Sequence, residues 1–368
     1  MRITQTMMMS NYKNSLDGSL GRLSDESDKI ASQRQFSRAS DDPVSAIKTL
    51  RAYRQLAVTD QYQQSEQEAS TYMTSTESAV KNINSVLTSA NSLILQAKNG
   101  TYSNGDATTQ AQSIDSYQKE IVESLNQAYN GQYLFGGSTS GPQPFKIGTA
   151  DDFSGPNADM DTSGGFTSDQ VVGKLLYNVP NTNTYIPVSV INNSTDSGGG
   201  DPMYKYSVNN PDMKYTMPID VGLGNKIDAN GNVVQGTAFD ASTSALDFLL
   251  QNVTSGSSEN VVDALGDASA QLKAGDTSQL DSTLTMVQNT QDSEIKTTVD
   301  IGEKGKMLGF LDAKFTSDTT NLNSLLATVA DVDITTESTK YEMDMMVYNA
   351  SLSVGTNILQ KSLIDFLK

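Results

Sequence analysis

The chain has 368 residues and a mass of 39.5 kDa, enough for two or three domains with their own cores. It contains no Cys, His or Trp, so disulfides, thiol nucleophiles, thiolate metal sites and histidine acid–base chemistry are excluded. The formal net charge of −18 argues against nucleic acid or an anionic membrane as a partner, because both are bound through Lys and Arg.

The first 30 residues have the spacing of a helix with a narrow apolar face. One heptad position holds Met9, Leu16, Leu23 and Ile30, and Leu20 lies on its partner position. A narrow face makes an isolated helix weak. Residues 31–42 interrupt the pattern and predict a loop. The N-terminus also lacks the apolar core and cleavage site of a secretory signal, so we expect a protein that is either cytoplasmic or exported without cleavage.

A helix start signal follows at Asp41, Asp42 and Pro43. Asp42 is expected to cap free backbone N–H groups, and Pro43 suits the first helical position. A metal-binding or catalytic carboxylate pair is the alternative, but capping accounts for all three residues. From here an apolar ladder predicts a helix from 43 to 98.

The first half of this helix carries a small basic group in an otherwise acidic chain. Its members are Lys48, Arg51 and Arg54. A solvated face is the ordinary interpretation. The alternative is a surface that meets an acidic patch on a neighbouring subunit.

A shorter helix is predicted at about 107–131, antiparallel to the first. The cluster Tyr133, Leu134 and Phe135, followed by Gly136 and Gly137, marks the transition out of the helices. It is either an apolar plug at the end of the helical hairpin or a patch that binds a partner. Residues 136–241 are rich in Gly and Pro and predict a β-rich, loopy insertion. Within it, residues 228–232 read as an Asn-Gly turn rather than a calcium loop, because position 12 has no Glu.

Helical spacing resumes after residue 242, with helices predicted near 243–253, 258–273 and 277–330. The last of these keeps a single heptad register that is broken only by Glu294. The register comprises Leu280, Val287, Ile301, Leu308, Phe315, Leu322 and Val329. Residues 331–339 predict a second break.

The terminal helix, residues 341–368, has an unusually large apolar surface. Its a/d seam reads Tyr341, Met345, Tyr348, Leu352, Gly355, Leu359, Ser362 and Phe366. A second apolar row lies beside it, formed by Val347, Val354, Ile358 and Leu363. Such a helix is expected to bury its apolar surface against other helices. Packing within the chain and packing between subunits are both open.

The layout is mirror-like, with a helix, a break and a long rod on either side of an insertion. We therefore predict a mainly α fold of long antiparallel helical rods and terminal coiled-coil helices, with an inserted β-rich domain. The predicted domains are an N-terminal assembly helix and loop (1–42), two halves of a rod (43–135 and 242–330), the insertion (136–241) and a C-terminal assembly helix (331–368).

Four stretches resemble a known family. These are the opening MRITQTMMMSNYKNSLDGSLGRL, the segment RASDDPVSAIKTLR, the transition GQYLFGGSTSGPQPF and the ending LQKSLIDFL. Together they resemble the flagellin superfamily, and within it the hook-associated proteins of type 3. The resemblance covers about residues 1–145 and 242–368.

The resemblance implies a flagellin-like structural protein of the bacterial flagellum, without enzymatic activity or a cofactor. Its implied partners are copies of itself, the other hook-associated junction protein, flagellin and a flagellar export chaperone; neither nucleic acid nor membrane insertion is implied. It implies an extracellular location after export without a cleaved signal. Two alternatives are a filament-forming flagellin, which lacks the transition motif, and an enzyme or glycan-binding protein with its site in the insertion.

Overall fold

The computed structural model describes most of the helical part of the chain and portions of the insertion. The described residues are 5–100, 104–136, 141–154, 166–180, 184–192, 205, 207, 210, 213, 215–224, 238–252 and 258–366. At the helix ends 5–6, 104–105, 153–154 and 357–366 the description covers the backbone alone. No helix within these residues is long and apolar enough to cross a membrane.

The predicted class, mainly α with an inserted β-rich region, is confirmed. The helices are α1 (Gln5–Ser32), α2 (Pro43–Asn99), α3 (Asn104–Leu125), α4 (Ala150–Ser154), α5 (Ser168–Val171), α6 (Leu246–Leu249), α7 (Val261–Lys273), α8 (Leu280–Val329) and α9 (Ile334–Phe366). The strands are β1 (Ala128–Tyr129), β2 (Gln132–Tyr133), β3 (Phe145–Ile147), β4 (Leu175–Val179), β5 (Thr184–Pro187), β6 (Pro218–Ile219), β7 (Phe239–Asp240), β8 (Leu250–Gln251) and β9 (Glu259–Asn260).

The chain divides into two compact units. The terminal unit comprises Met1–Gln61 and Lys314–Lys368, and the central unit comprises Tyr62–Ala313. In the terminal unit α1 packs along α9, and the start of α2 packs on the end of α8 through a small core. The members of that core are Ala52, Leu56, Leu322, Leu326 and Ala330.

The start of α2 is capped as the sequence predicts. The backbone N–H groups of Val44 and Ser45 donate to Oδ1 of Asp42 at 3.1 and 3.0 Å, and Pro43 is the first helical residue. Hydrogen bonds from Ser45 are the main reason that the pKa of Asp42 lies below its usual range. This carboxylate therefore serves the helix end.

In the central unit α3 packs along α7, and the long helices also carry buried apolar side chains. The heptad residues Leu280, Val287, Ile301 and Leu308 of α8 are all buried. Buried side chains of the other helices include Ile83, Leu87, Ile94, Ile114, Ile121, Leu125, Val261 and Leu265. Glu294, the residue that breaks the heptad register, is also buried, with 1% exposure.

The helix predicted to run to residue 131 ends at Leu125 instead. The side-chain amide of Asn126 donates to the carbonyl of Phe145 at 2.7 Å and accepts from its N–H at 3.0 Å, so it pairs with β3 as a backbone amide would. The chain then forms the β1–β2 hairpin, whose turn residues Asn130 and Gly131 have φ of 50° and 80°. Both values suit a type I′ turn, which explains the Asn-Gly pair.

The insertion is built on a three-stranded antiparallel sheet in the order β3-β4-β5. Tyr177 of β4 lies opposite Phe145 and Ile186, and its hydroxyl donates to the carbonyl of Met213 at 2.6 Å. Residues 228–232, predicted as an Asn-Gly turn, lie outside the described residues.

Two further boundaries differ from the prediction. The helix expected at 243–253 is a single turn, Leu246–Leu249, because Leu250 pairs with Asn260 in the β8–β9 hairpin. The terminal helix begins at Ile334 rather than 341, since Asp333 caps it by accepting from the N–H of Thr335 at 3.0 Å and from the hydroxyl of Thr336 at 2.7 Å.

Candidate functional site

The paired helices α1 and α9 are the candidate functional site. They run antiparallel, because Tyr12 lies next to Gly355 while Lys29 pairs with Glu337. The more buried positions repeat at alternating steps of four and three on both helices. On α1 they are Tyr12, Leu16, Ser19, Leu23, Glu26 and Ile30, and on α9 they are Glu337, Tyr341, Asp344, Tyr348, Ser351 and Gly355. This is the seam of a two-stranded antiparallel coiled coil.

One end of the seam is a close approach between the helices. A Cβ at Gly355 would overlap the Tyr12 hydroxyl and ring carbon Cζ. The tyrosine therefore occupies the space that any side chain at 355 would need. Gly355, which interrupts the apolar heptad of α9 in the sequence, thus serves as the receptor for an aromatic side chain.

The other end of the seam is a buried polar cluster. Lys29 Nζ lies 3.0 Å from Glu337 Oε1 and 3.4 Å from Glu26 Oε1, and Lys340 Nζ lies 2.8 Å from Glu337 Oε2. Glu337 is 2% exposed. A fourth ion pair, Arg22 with Asp344 at 3.5 Å, lies further along the seam.

The pKa values of the two carboxyl groups of the cluster shift in opposite directions. A hydrogen bond from Glu26, together with the two lysines, lowers the pKa of Glu337 to about 2. Burial, and then the hydrogen bond to Glu337, raises the pKa of Glu26 above its ordinary value. Ionised Glu337 thus accepts from both lysines, and its pairing with Lys29 fixes the register of α1 on α9.

The sequence-predicted assembly residues fall into three groups. Leu16, Leu23, Ile30, Tyr341 and Tyr348 are half-buried in the seam. Met9, Leu20, Met345 and Leu352 lie outside it, with 44%, 50%, 40% and 40% exposure. The side chains of Leu359 and Phe366 lie outside the described residues.

On α1, the second heptad position that faces α9 therefore differs from the predicted one. Ser19 and Glu26 face α9 in place of Leu20, and each has a polar partner there. Ser19 donates to the carbonyl of Ser15 at 3.0 Å, and Glu26 joins the polar cluster. The register containing Leu20 would bring Lys13 and Ser27 into the seam instead.

Two apolar rows of α9 remain uncovered within the chain. One contains Met345 and Leu352, and the other contains Met343, Val347 and Val354, with 52%, 47% and 54% exposure. The three consecutive methionines of α1, Met7 to Met9, are also exposed. The described part of the pair thus exposes large apolar side chains on more than one side.

The transition cluster lies in the central unit. Leu134 and Phe135 are each 2% exposed, and the Tyr72 hydroxyl donates to the Leu134 carbonyl at 2.6 Å. Phe135 packs edge-on against Phe248 at 6.0 Å between ring centroids. Gly136 is needed because a Cβ there would lie 2.8 Å from that of Tyr133. Gly137 lies outside the described residues.

A polar cleft of about 560 Å³ lies beside α7 and the start of α8. Its buried carboxylate, Asp263, accepts from the N–H of Leu175 at 2.6 Å and from the amide of Asn260 at 2.8 Å. Asp263 therefore has a structural role. In the part of the chain that the structure describes, no group of three or more acidic residues is arranged to hold a metal ion.

Sequence reasoning missed the Glu26–Lys29–Glu337 cluster. The signal was present, since Glu26 stands three residues after Leu23 and Glu337 four residues before Tyr341, so both extend a seam. A charged side chain, however, gives no apolar signal at a seam position. The only signal in the sequence for pairing across the two helices was the charge of Lys29, which is opposite to that of its partners Glu26 and Glu337.

Comparison with known proteins finds a family match in the N-terminal part of the chain. The model of the bacterial flagellin N-terminal helical region matches residues 3–140. No curated protein sequence gives a significant match.

Several solved structures are similar to this chain at low sequence identity. A protein of Vibrio parahaemolyticus named as a flagellar hook-associated protein is 16% identical, with 78% of this chain and 98% of that chain covered and a TM-score of 0.52. FlgL of Bacillus cereus is 17% identical over 75% of this chain and 99% of its own, with a TM-score of 0.45. The flagellar junction protein FlgL of Legionella pneumophila is 12% identical over 78% and 100%, with a TM-score of 0.41.

The match at residues 3–140 and the shared fold agree with the paired terminal helices and the β-rich insertion described above. Residues 3–140 are thus similar to the N-terminal helical region of bacterial flagellins, and the chain has a fold similar to that of the Vibrio parahaemolyticus protein.

Proposed function

We propose that the chain is a structural component of the bacterial flagellum that forms the junction between hook and filament. The observation that carries this proposal is the α1–α9 pair, which leaves Met9, Leu20, Met345 and Leu352 exposed. Burial of apolar surface contributes about 25 cal/mol per Å². Packing between subunits covers these side chains.

The composition of the seam supports assembly over a self-sufficient pair. Six of its twelve positions contribute little apolar contact, namely Ser19, Glu26, Glu337, Asp344, Ser351 and Gly355. The pair is therefore only marginally stable within one chain. Its exposed apolar rows are buried, and its helices become ordered, when neighbouring subunits pack against them.

The proposed partners are those that could cover the exposed apolar rows of α1 and α9. Contacts between different faces of identical copies propagate helically, so copies of this chain pack side by side. The other hook-associated junction protein lies beneath them and flagellin above. Before assembly, an export chaperone covers the apolar rows, and the chain leaves the cell through the flagellar secretion apparatus without a cleaved signal.

The roles of the chain segments follow the same scheme. Residues 1–42 and 331–368 carry assembly, with Leu359 and Phe366 extending the apolar row of α9. Residues 43–135 and 242–330 form the rod, and Tyr133, Leu134, Phe135, Gly136 and Gly137 seal its end beneath the insertion, residues 136–241. None of these roles is catalytic.

A filament-forming flagellin is the second candidate, since the N-terminal helical region is common to both. The GQYLFGG segment that leads into the buried Leu134–Phe135 pair favours the junction role. Polymerisation of the purified monomer into long filaments would favour the flagellin instead.

The test uses a strain that lacks this protein. We expect it to build hooks and to release flagellin monomers into the medium without retaining filaments. A plasmid copy with Leu352→Glu is expected not to restore filaments, because a charge on the exposed row opposes packing. The matched control, Ser353→Glu on the neighbouring exposed position, is expected to restore them. Normal filaments in the deletion strain refute the junction role.

A further inference from the structure

The first half of α9 takes its large unbranched apolar side chains from methionine alone. Residues 335–351 contain no Leu, Ile or Phe, but they include Met343, Met345 and Met346. Leu and Met have similar volumes and replace each other at little cost in apolar contacts. Methionine differs in carrying a polarisable thioether that oxidants attack. We name these three residues the methionine surface.

The methionine surface is open to solvent in the single chain. Met343, Met345 and Met346 are 52%, 40% and 64% exposed. In the central unit, by contrast, Met73 and Met213 are 2% and 0% exposed. A dissolved oxidant therefore reaches the first three side chains directly, but it reaches the other two only when the structure opens locally.

Hydrogen peroxide is the oxidant that suits this surface. It is uncharged, so the net charge of −18 does not repel it. The thioether sulfur attacks one peroxide oxygen, the O–O bond breaks and an S–O bond forms. The departing hydroxide takes the proton from the transferred oxygen and leaves as water. Sulfur loses two electrons to the peroxide, and the sulfoxide that results is polar and is returned to the thioether by specific reductases.

Oxidation changes the rows of α9 that the proposed function buries between subunits. Met345 lies in the exposed row with Leu352, and Met343 lies in the row with Val347. Burial of a Met side chain stabilises a contact about as much as burial of a Leu. A sulfoxide oxygen, however, needs a hydrogen-bond donor when it is buried, and the apolar side chains of these rows offer none. An oxidised chain therefore packs poorly against a neighbour.

We infer that the methionine surface is a site of reversible oxidation. Peroxide converts its exposed thioethers to sulfoxides and so prevents an unassembled chain from packing with its neighbours. The effect on assembly rests on the proposed function, whereas the oxidation depends only on the exposure of the three side chains.

Peptide mapping of the purified full-length chain, after treatment with increasing hydrogen peroxide, tests the oxidation. We expect sulfoxide at positions 343, 345 and 346 to form at least about tenfold faster than at Met73 and Met213. Methionine sulfoxide reductases for both epimers, supplied with dithiothreitol, are expected to remove it. Equal rates at exposed and buried positions, or sulfoxide that the reductases leave in place, overturn the inference.

Variants in the deletion strain test the effect on assembly. Gln is close to Met in length and carries a polar oxygen, as the sulfoxide does. Met343→Gln with Met345→Gln is therefore expected to lower the number of retained filaments per cell about tenfold. Met343→Leu with Met345→Leu is expected to retain filaments. The matched control is Met307→Gln, at a residue of α8 that is 43% exposed, and it is also expected to retain them.

A normal number of filaments in the double glutamine variant overturns the effect on assembly. Filament loss in the double leucine variant overturns it as well, because the defect then does not depend on polarity. If the deletion strain itself retains filaments, the junction role fails, and the peptide map of the purified chain still decides whether the methionine surface is oxidised.

Discussion

Glu294 is a carboxyl group that the bundle core accommodates poorly. It is 1% exposed, and neither carboxylate oxygen has a hydrogen-bond partner among the described residues. Burial raises its pKa to about 8, and nearby Asn84 offsets this only in part. The group is therefore protonated in the folded chain near neutral pH.

This residue makes stability depend on pH. The pKa is 4.5 unfolded and about 8 folded, so the folded state binds the proton more tightly and the free energy of unfolding falls as pH rises from 4.5 to 8. We expect Glu294→Gln to flatten this slope and to stabilise the chain by about 1–3 kcal/mol at pH 8. Urea unfolding at pH 5 and pH 8 measures it, with exposed Glu303→Gln as the control. An unchanged slope in Glu294→Gln would show that another group titrates.

Gly355 and Tyr12 form the second residue-scale test. Gly355→Ala is expected to weaken the α1–α9 pair, because the new methyl group displaces the Tyr12 ring. In a Tyr12→Ala background the same change is expected to stabilise α9 by about 0.5–1 kcal/mol, as Ala does in helices generally. A double-mutant cycle followed by circular dichroism measures the coupling. Equal effects of Gly355→Ala in both backgrounds would exclude the contact.

At the scale of elements, the Glu26–Lys29–Glu337 cluster sets the pairing of α1 with α9. Lys29→Met leaves the buried Glu337 with Lys340 as its remaining cation among the ion pairs described above. We expect amide exchange of residues 16–30 to speed up about tenfold, since breaking a buried pair costs at least ~1.4 kcal/mol. Lys13→Met, on the exposed side of α1, serves as the control.

The same cluster predicts how the pair responds to acid. The pKa of Glu337 is depressed to about 2, so its contribution to stability is present above its unfolded value of 4.5 and is lost as pH falls from 4.5 towards 2. Hydrogen exchange in α1 should therefore accelerate over that window, and less so in Glu337→Gln. The same acid response in both proteins would assign it to other carboxylates.

Element by element, the sequence predicts helices better than it predicts where they end. Asp42 and Pro43 identified the start of α2, because a cap is a local interaction. The end of α3 depends on Asn126 and Phe145, which are 19 residues apart, and no local pattern reports that contact.

The sequence also could not predict which side of α1 faces α9. Leu20 is the more apolar candidate, but Ser19 donates within α1 and Glu26 pairs with Lys29, whose second partner, Glu337, lies near the other end of the chain. Apolar periodicity identified the helices and the core of α8, whereas polar pairing decided the register of α1 on α9.

At the scale of the molecule, the two compact units are expected to respond differently to truncation. Removing residues 341–368 deletes most of α9, whose principal partner is α1 in the terminal unit. We expect the truncated chain to keep its remaining helical signal and to fail in assembly. Loss of most helicity from the truncated chain would instead show that α9 supports the whole fold.

The central claim is that the exposed apolar row of α9 is covered by a neighbouring subunit. Photo-crosslinking from position 352 in intact flagella tests it most directly, because Leu352 lies outside the seam within the chain. The account predicts a crosslinked dimer whose second peptide comes from α1 or α9 of another copy. Crosslinks confined to one chain, with full incorporation into the flagellum, would contradict it.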